Sequence, residues 1–341
     1  MSPVPIPEPP PPPAVGRHAP WWLPGGHLQT IWPALFARDI AGAPPAWRRE
    51  RWTTPDADFI DVDFLADAPR PGTPFLVQFH GLEGSSASGY SRAFACLARD
   101  AGWGYAVPHF RGCSGELNLA PRAYHSGDFA EIDWILARFV ERHGAPVLAV
   151  GISLGGNMLL RWAEEAGFRA ARSACAVAAV CSPVDLAAGG HQISRGFARH
   201  TYTRMFLGSM KPKALAKLRQ HPGLFDGERV RRARDLYEFD DAFTAPVHGF
   251  RGVEDYWKRA SAKPHLRDIR IPALVLNALN DPFVPASSLP VPSEVGPHVT
   301  LWQPRHGGHV QFASGRLPPG HVLAMPTAVF DWLGRHLPRG A

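Results

Sequence analysis

The chain has 341 residues, 45% of them hydrophobic, and its 36 Lys and Arg against 30 Asp and Glu leave a formal net charge of +6. That is enough apolar content for a large core in one α/β unit with insertions, and the mild positive balance does not by itself imply a nucleic-acid partner. The longest small apolar run, Ala174 to Cys181, is far below the ~20 residues that cross a bilayer, so no transmembrane segment is expected.

The first thirteen residues are dominated by proline, Pro3 through Pro13, which disfavours helix and sheet and predicts a disordered or polyproline II tail. They lack the basic start and uninterrupted apolar stretch of a secretory signal, so a cytoplasmic location is expected. Trp21, Trp22, Leu23 and Pro24 lead into Leu28-Gln29-Thr30, a segment expected to pack on the core surface near the active-site face. Trp47 to Leu65 alternates as two edge strands would, with Pro55-Asp56-Ala57-Asp58 as their turn. The apolar run Phe75 to Phe79 is the next strand, and it ends in His80-Gly81-Leu82-Glu83-Gly84. A helix near Ser88 to Asp100, a strand near Gly104 to Pro108 and a helix near Phe129 to His143 follow. Repeated βα units imply a mainly parallel sheet covered on both faces.

Pro146 to Val150 is then an apolar strand that ends in Gly151-Ile152-Ser153-Leu154-Gly155, ahead of a helix-like run from Asn157 to Glu165. A serine at the apex of such a strand-turn-helix is a nucleophile elbow, where small flanking residues let the two backbones pass close to a strained residue. A serine hydroxyl needs a base, and the base needs an orienting acid, so the chain must supply Ser, then Asp or Glu, then His. Ala273 to Leu279 reads as a buried strand that presents Asp281 at its C-terminal end. Past the run His298 to Trp302, the loop Arg305-His306-Gly307-Gly308-His309 holds two histidines. His309 is expected to be the base, because Gly307 and Gly308 let the loop turn back toward the serine. Acyl transfer also needs oxyanion donors, expected from the backbone N–H groups of Leu154 and Leu82.

Between the strand Ala174 to Val180 and the return at Ile269-Arg270-Ile271, the strand rhythm stops from roughly Leu186 to Arg267 and helical, basic and aromatic segments take over. This predicts an inserted helical lid above Ser153. Its side chains, including Phe197, Tyr202, Met205, Phe206, Phe243, Phe250, Tyr256 and Trp257, are candidates for an acyl-binding cleft. Its basic clusters, among them Lys211, Lys213, Lys217 and Arg219, are read as solvated helix faces. The expected partition is a tail at 1–20, a first core part at 21–186, a lid at 187–268 and a second core part at 269–341.

Gly26-His27-Leu28-Gln29-Thr30, the His80 to Gly84 loop, His109-Phe110-Arg111-Gly112-Cys113-Ser114-Gly115, Tyr124-His125-Ser126-Gly127, the elbow, Phe239-Asp240-Asp241 and His306 to His309 together resemble the YheT-like branch of the α/β-hydrolases. This abhydrolase-4 group includes fungal ethanol O-acyltransferases and animal membrane-anchored acylglycerol and phospholipid hydrolases. The resemblance implies a catalytic triad on Ser153, Asp281 and His309. Ile152 stands where close bacterial relatives often carry an aromatic, a change expected at the pocket wall.

Competing chemistries are poorly supported by the sequence. Gly102-Trp103-Gly104 has no third glycine at Val107 and the elbow has no phosphate-loop lysine, so no nucleotide cofactor is expected. His306 and His309 are accompanied by neither an HExxH pattern nor paired cysteines, so no metal is expected either. The four cysteines, Cys96, Cys113, Cys175 and Cys181, show no close pairing and are read as reduced. The favoured reading is a serine hydrolase of short- to medium-chain acyl esters or monoacylglycerols, acting on a small-molecule ester and compatible with transient lipid contact. The alternatives are acyl transfer to an alcohol through the same acyl-enzyme and a noncatalytic binding module of the same fold.

Overall fold

Eight strands form one sheet in the order β1-β2-β4-β3-β5-β6-β7-β8, in a computed structural model that describes residues 15–40, 42–67 and 72–338. The proline tract Pro3–Pro13 therefore lies outside the described residues. β1 (Trp47–Thr53), β2 (Phe59–Leu65) and β4 (Gly104–Pro108) pair antiparallel in that order. β4, β3 (Phe75–Phe79), β5 (Val147–Ile152), β6 (Ala174–Val180), β7 (Ala273–Leu276) and β8 (Val299–Trp302) are parallel. The parallel strands β3, β5 and β7 are buried along their whole length, as expected of a sheet with helices on both faces.

Only β1 of the first pair is an edge strand. β2 lies between β1 and β4 and is buried throughout. Its polar alternation suggested exposure, but Asp61 and Asp63 are held in two-point ion pairs by Arg51 and Arg49 of β1. Asp58, just before the strand, accepts from Arg111 at 2.8 Å. The acids are buried because each has a fixed cationic partner.

The helix α1 (Gly25–Phe36) crosses the face at the C-terminal ends of the parallel strands, burying Gln29, Thr30 and Pro33. α2 (Gly89–Ala101), α3 (Phe129–His143) and α4 (Leu154–Ala166) connect successive strands. Two apolar clusters cover the faces of the sheet. One is built around Phe79, Ile132, Phe139 and Trp162, the other around Phe94, Tyr105, Ile152 and Val329.

Between β6 and β7 the described chain is helical, with α5 (Leu186–Ile193), α6 (Arg204–Gln220), α7 (Gly227–Arg232) and α8 (Val253–Ala260). π-helical turns at Arg199–Thr203 and Asp240–Thr244 interrupt them. The two ends of this insertion close on each other. Leu186 N–H donates to Ser261 Oγ at 3.0 Å, and Lys263 N–H donates to the Val184 carbonyl at 2.9 Å. Asn157 of α4 joins them to the core, donating to the Ala260 carbonyl and accepting from Ala262 N–H. Among the described residues, no helix is long and apolar enough to cross a membrane.

Candidate active site

Ser153 sits between the end of β5 and the first residue of α4 with φ 52° and ψ −118°, a conformation that a non-glycine residue adopts only at a cost of order 1–3 kcal/mol. Its N–H is fixed on the Val180 carbonyl at 2.8 Å. The helix starts at Leu154, three residues earlier than the sequence suggested, because the turn passes straight into it. Gly155 is the residue that permits this. A Cβ there would lie 2.4 Å from the carbonyl oxygen of His80, so only glycine lets the helix and the β3 loop meet.

Asp281 and His309 converge on this serine. His309 Nε2 lies 3.0 Å from Ser153 Oγ, and His309 Nδ1 lies 2.8 Å from Asp281 Oδ2. The other oxygen of Asp281 accepts the N–H groups of Phe283 at 2.7 Å and Val284 at 3.3 Å. The carboxylate is thereby aimed, and the imidazole is stacked on Phe283 with centroids 4.0 Å apart. His306 takes no part: its N–H donates to the Gly16 carbonyl at 3.0 Å, which ties part of the 1–20 segment expected as a tail to the outside of this loop.

The His309 loop is held by α1, a role that sequence reasoning missed. Thr30 Oγ1 accepts from His309 N–H at 2.9 Å, and Gln29 Oε1 accepts from Gly307 N–H at 3.0 Å. Asn280, beside Asp281, donates to Gln29 Oε1 and accepts from Gly308 N–H. Gly308 has φ +59°, and a Cβ on it would lie 2.7 Å from Thr30 Oγ1. Gln29 and Thr30 were visible as part of a motif, but nothing local told what they bind.

Leu82 and Leu154 line the same cleft as Ser153 and His309. Among the described residues neither backbone N–H has a protein acceptor. The loop that carries Leu82 is tied down on both sides. Gly81 N–H donates to the Tyr90 hydroxyl at 3.1 Å, and Glu83 N–H donates to that of Tyr124 at 3.2 Å. Glu83 has φ 58°. Its carboxylate accepts the Tyr124 hydroxyl at 2.9 Å and pairs with Lys213 of α6 at 2.9 Å. Two of the lysines expected on solvated faces, Lys213 and Lys217, are therefore turned inward here. Lys217 is buried and donates to the carbonyls of Asn118 and Ala120, and burial pulls its ammonium down to about 8.

The loop's first residue is also fixed. His80 donates from Nδ1 to the Gly81 carbonyl at 2.7 Å and accepts the Phe110 N–H on Nε2 at 3.0 Å, an arrangement open only to the neutral ring. Burial pulls its pKa down to about 3.

The insertion roofs the cleft with Leu186, Ile193, Phe206, Phe243, Tyr256 and Trp257. Phe197 and Met205 are exposed instead, and Phe250 packs on Tyr256. Trp257 is anchored by donating to Asp240 at 2.9 Å, whose carboxyl burial pushes up to about 6. Ile152 is fully buried in the core and is not part of the pocket wall. Cys181, Asp281 and His309 bring three ligand atoms within 4.8 Å of one another. Each is already engaged, Cys181 Sγ by Val310 N–H at 3.2 Å, and burial pushes this thiol up, away from the thiolate that binds a metal.

A mostly parallel sheet with an elbow serine, a strand-end acid and a histidine on the last loop defines an α/β-hydrolase. Residues 74–315 match the alpha/beta hydrolase fold family, to which the chain belongs. It is 38% identical over 315 residues to YheT of Escherichia coli (strain K12), covering 91% of this chain and 91% of that one. It is also 28% identical over 310 residues to phospholipase ABHD3 of Mus musculus, covering 85% of this chain and 74% of the relative. Among solved structures, alpha/beta hydrolase domain-containing protein 10 from mouse superposes with a TM-score of 0.52 at 14% identity, covering 84% of this chain and 99% of that one. At that identity the likeness concerns the fold alone.

Proposed function

We propose that the protein is a serine hydrolase that cleaves carboxylic esters, short- to medium-chain acyl esters or monoacylglycerols, through an acyl-enzyme on Ser153. The observation that carries this reading is the unbroken relay from Ser153 Oγ through His309 to Asp281, with separations of 3.0 and 2.8 Å. In it Ser153 Oγ attacks the ester carbonyl while His309 Nε2 takes its proton. Asp281 keeps the other ring proton on Nδ1 and stabilises the imidazolium that forms. The oxyanion of the tetrahedral intermediate accepts from the backbone N–H groups of Leu82 and Leu154. His309 then hands its proton to the departing alcohol. Water, activated by the same imidazole, attacks the acyl-serine and releases the acid. The apolar roof of the cleft suits an acyl chain, and the phospholipase named among the relatives is itself an ester-cleaving enzyme.

A fluorophosphonate probe tests the nucleophile, because phosphorus is attacked at neutral pH only by an activated hydroxyl. Intact-mass labelling at one equivalent is expected for the wild type and none for Ser153→Ala. Undiminished labelling of that variant would show that the nucleophile lies elsewhere. A panel of p-nitrophenyl esters and monoacylglycerols of increasing chain length then defines the substrate. Failure to turn over any of them would favour a binding module, and ethyl ester formation in the presence of ethanol would reveal acyl transfer.

A further inference from the structure

We propose that the outer face of α1 and the first turns of the insertion form a docking surface for an anionic lipid bilayer, placed at the mouth of the cleft. The inner face of α1 holds the His309 loop through Gln29 and Thr30. Its outer face carries Leu28, 46% exposed, and Leu35, 66% exposed, with Phe36, 56% exposed, at the end of the helix and Trp21 just ahead of it at 78%. Leu28 and Leu35 are seven residues apart, on one side of the helix. This face continues onto the insertion. The His27 ring meets Phe197 at 4.8 Å, and its Nδ1 lies 3.1 Å from the Tyr202 hydroxyl. Phe197 is 53% and Met205 60% exposed, while Phe206, the next residue, lines the cleft.

Large apolar side chains gathered on one face mark a contact surface rather than scattered exposure, and the charge around them selects the partner. From Leu186 to Phe225 the sequence contains no Asp or Glu. The same holds from Val15 to Arg38, and Asp39, which ends that stretch, is paired with Arg92. Arg195, Arg199 and Arg204 flank Phe197 and Met205, are exposed, and among the described residues have no ion-pair partner. Apolar side chains interleaved with free guanidinium groups and no acid fit the boundary of a bilayer with anionic headgroups. The rings and aliphatic chains enter the acyl region and the arginines meet phosphates. This surface does not depend on the catalytic reading.

The test is sedimentation of the full chain with sucrose-loaded vesicles of phosphatidylcholine alone or mixed with phosphatidylglycerol. Wild type is expected to partition onto the mixed vesicles on the order of a hundredfold more strongly, about fivefold for each of the three arginines, with the preference collapsing in molar salt. Arg199→Glu combined with Arg204→Glu should lower that partition on the order of 25-fold, about fivefold for each basic group, at an unchanged melting temperature. Leu28→Ser with Phe197→Ser should weaken binding to both vesicle types. Equal partition of wild type onto both vesicles would overturn the proposal, as would wild-type binding by the folded double arginine variant. A dimer in lipid-free solution that these same variants dissociate, or duplex DNA binding in place of vesicle binding, would overturn it too.

Discussion

Ser153 and Lys213 face the same cleft from opposite sides and are fixed by different means. On the sheet side the backbone does the positioning: a strained serine, a glycine that no Cβ can replace, and carbonyls and N–H groups at the ends of buried strands. On the insertion side there are helices broken by π turns, held down by side chains such as Lys213 on Glu83, Lys217 on the Asn118 carbonyl and Trp257 on Asp240. Backbone placement leaves little room for variation, whereas side-chain ties can be lengthened, swapped or cut one at a time. The chemistry is expected to be brittle and the selectivity adjustable.

The sharpest way to break this contrast is on the sheet side. His309→Ala should lose about 10⁴ to 10⁶ in turnover, and Asp281→Asn about 10⁴ with the fold intact. His306→Ala, whose side chain is outside the relay, should lose no more than about a hundredfold. Steady-state kinetics on one activated ester checks all three, and a dead His306→Ala beside an active His309→Ala would reverse the assignment.

The convergence of Ser153, Asp281 and the histidine loop is legible in the sequence because elbow, acid and loop each sit at the end of an apolar run, while the choice of His309 over His306 needs the glycines between them. The support for the histidine is not legible there. Thr30 reaches His309 across 279 residues of chain, and no local signal encodes such a contact. The sequence predicts solvated Lys213 and Lys217 because a charged residue on a surface helix usually faces water. Their inward turn depends on Glu83 and on the Asn118 and Ala120 carbonyls, which come from another part of the chain. Phe197 and Met205 were candidate cleft residues and lie outside it, since hydrophobicity alone does not tell which face of an inserted helix turns inward.

The next effect is on stability and pH. The folded-state pKa of His80 lies near 3, against about 6.5 in an unfolded chain. Folding therefore favours the neutral ring. That contribution is complete above about pH 6.5 and is lost as the pH falls toward 3. His125, also brought down to about 3 by burial, adds a slope of the same sign. Urea unfolding free energy should fall by about 1.4 kcal/mol per buried histidine for each pH unit well below 6.5 and above 3. His80→Gln, whose side-chain oxygen can still accept the Phe110 N–H, should remove one histidine's share of the slope. An unchanged slope would place the titration elsewhere.

A smaller effect sharpens the insertion side. Lys213→Met should lower kcat about tenfold with little change in KM, because losing its hold on Glu83 loosens the loop that presents the Leu82 N–H without deleting that donor. Lys213→Arg should restore most of it. A change confined to KM would mean that Lys213 touches substrate instead. Smallest of all, Phe206→Ala should shift the ratio of activity on short and longer acyl esters by about three- to tenfold without abolishing either. An unchanged chain-length profile would remove this roof residue from selectivity.

The seat that α1 provides for the His309 loop has a consequence for synthesis. The ribosome delivers α1 before the elbow, and the elbow before the histidine loop. In the proposed mechanism a nascent chain can complete the elbow while its hydroxyl still lacks a base, so it is chemically silent until the histidine loop emerges. The helix made earlier then receives the loop made later, and the relay closes only when the two meet.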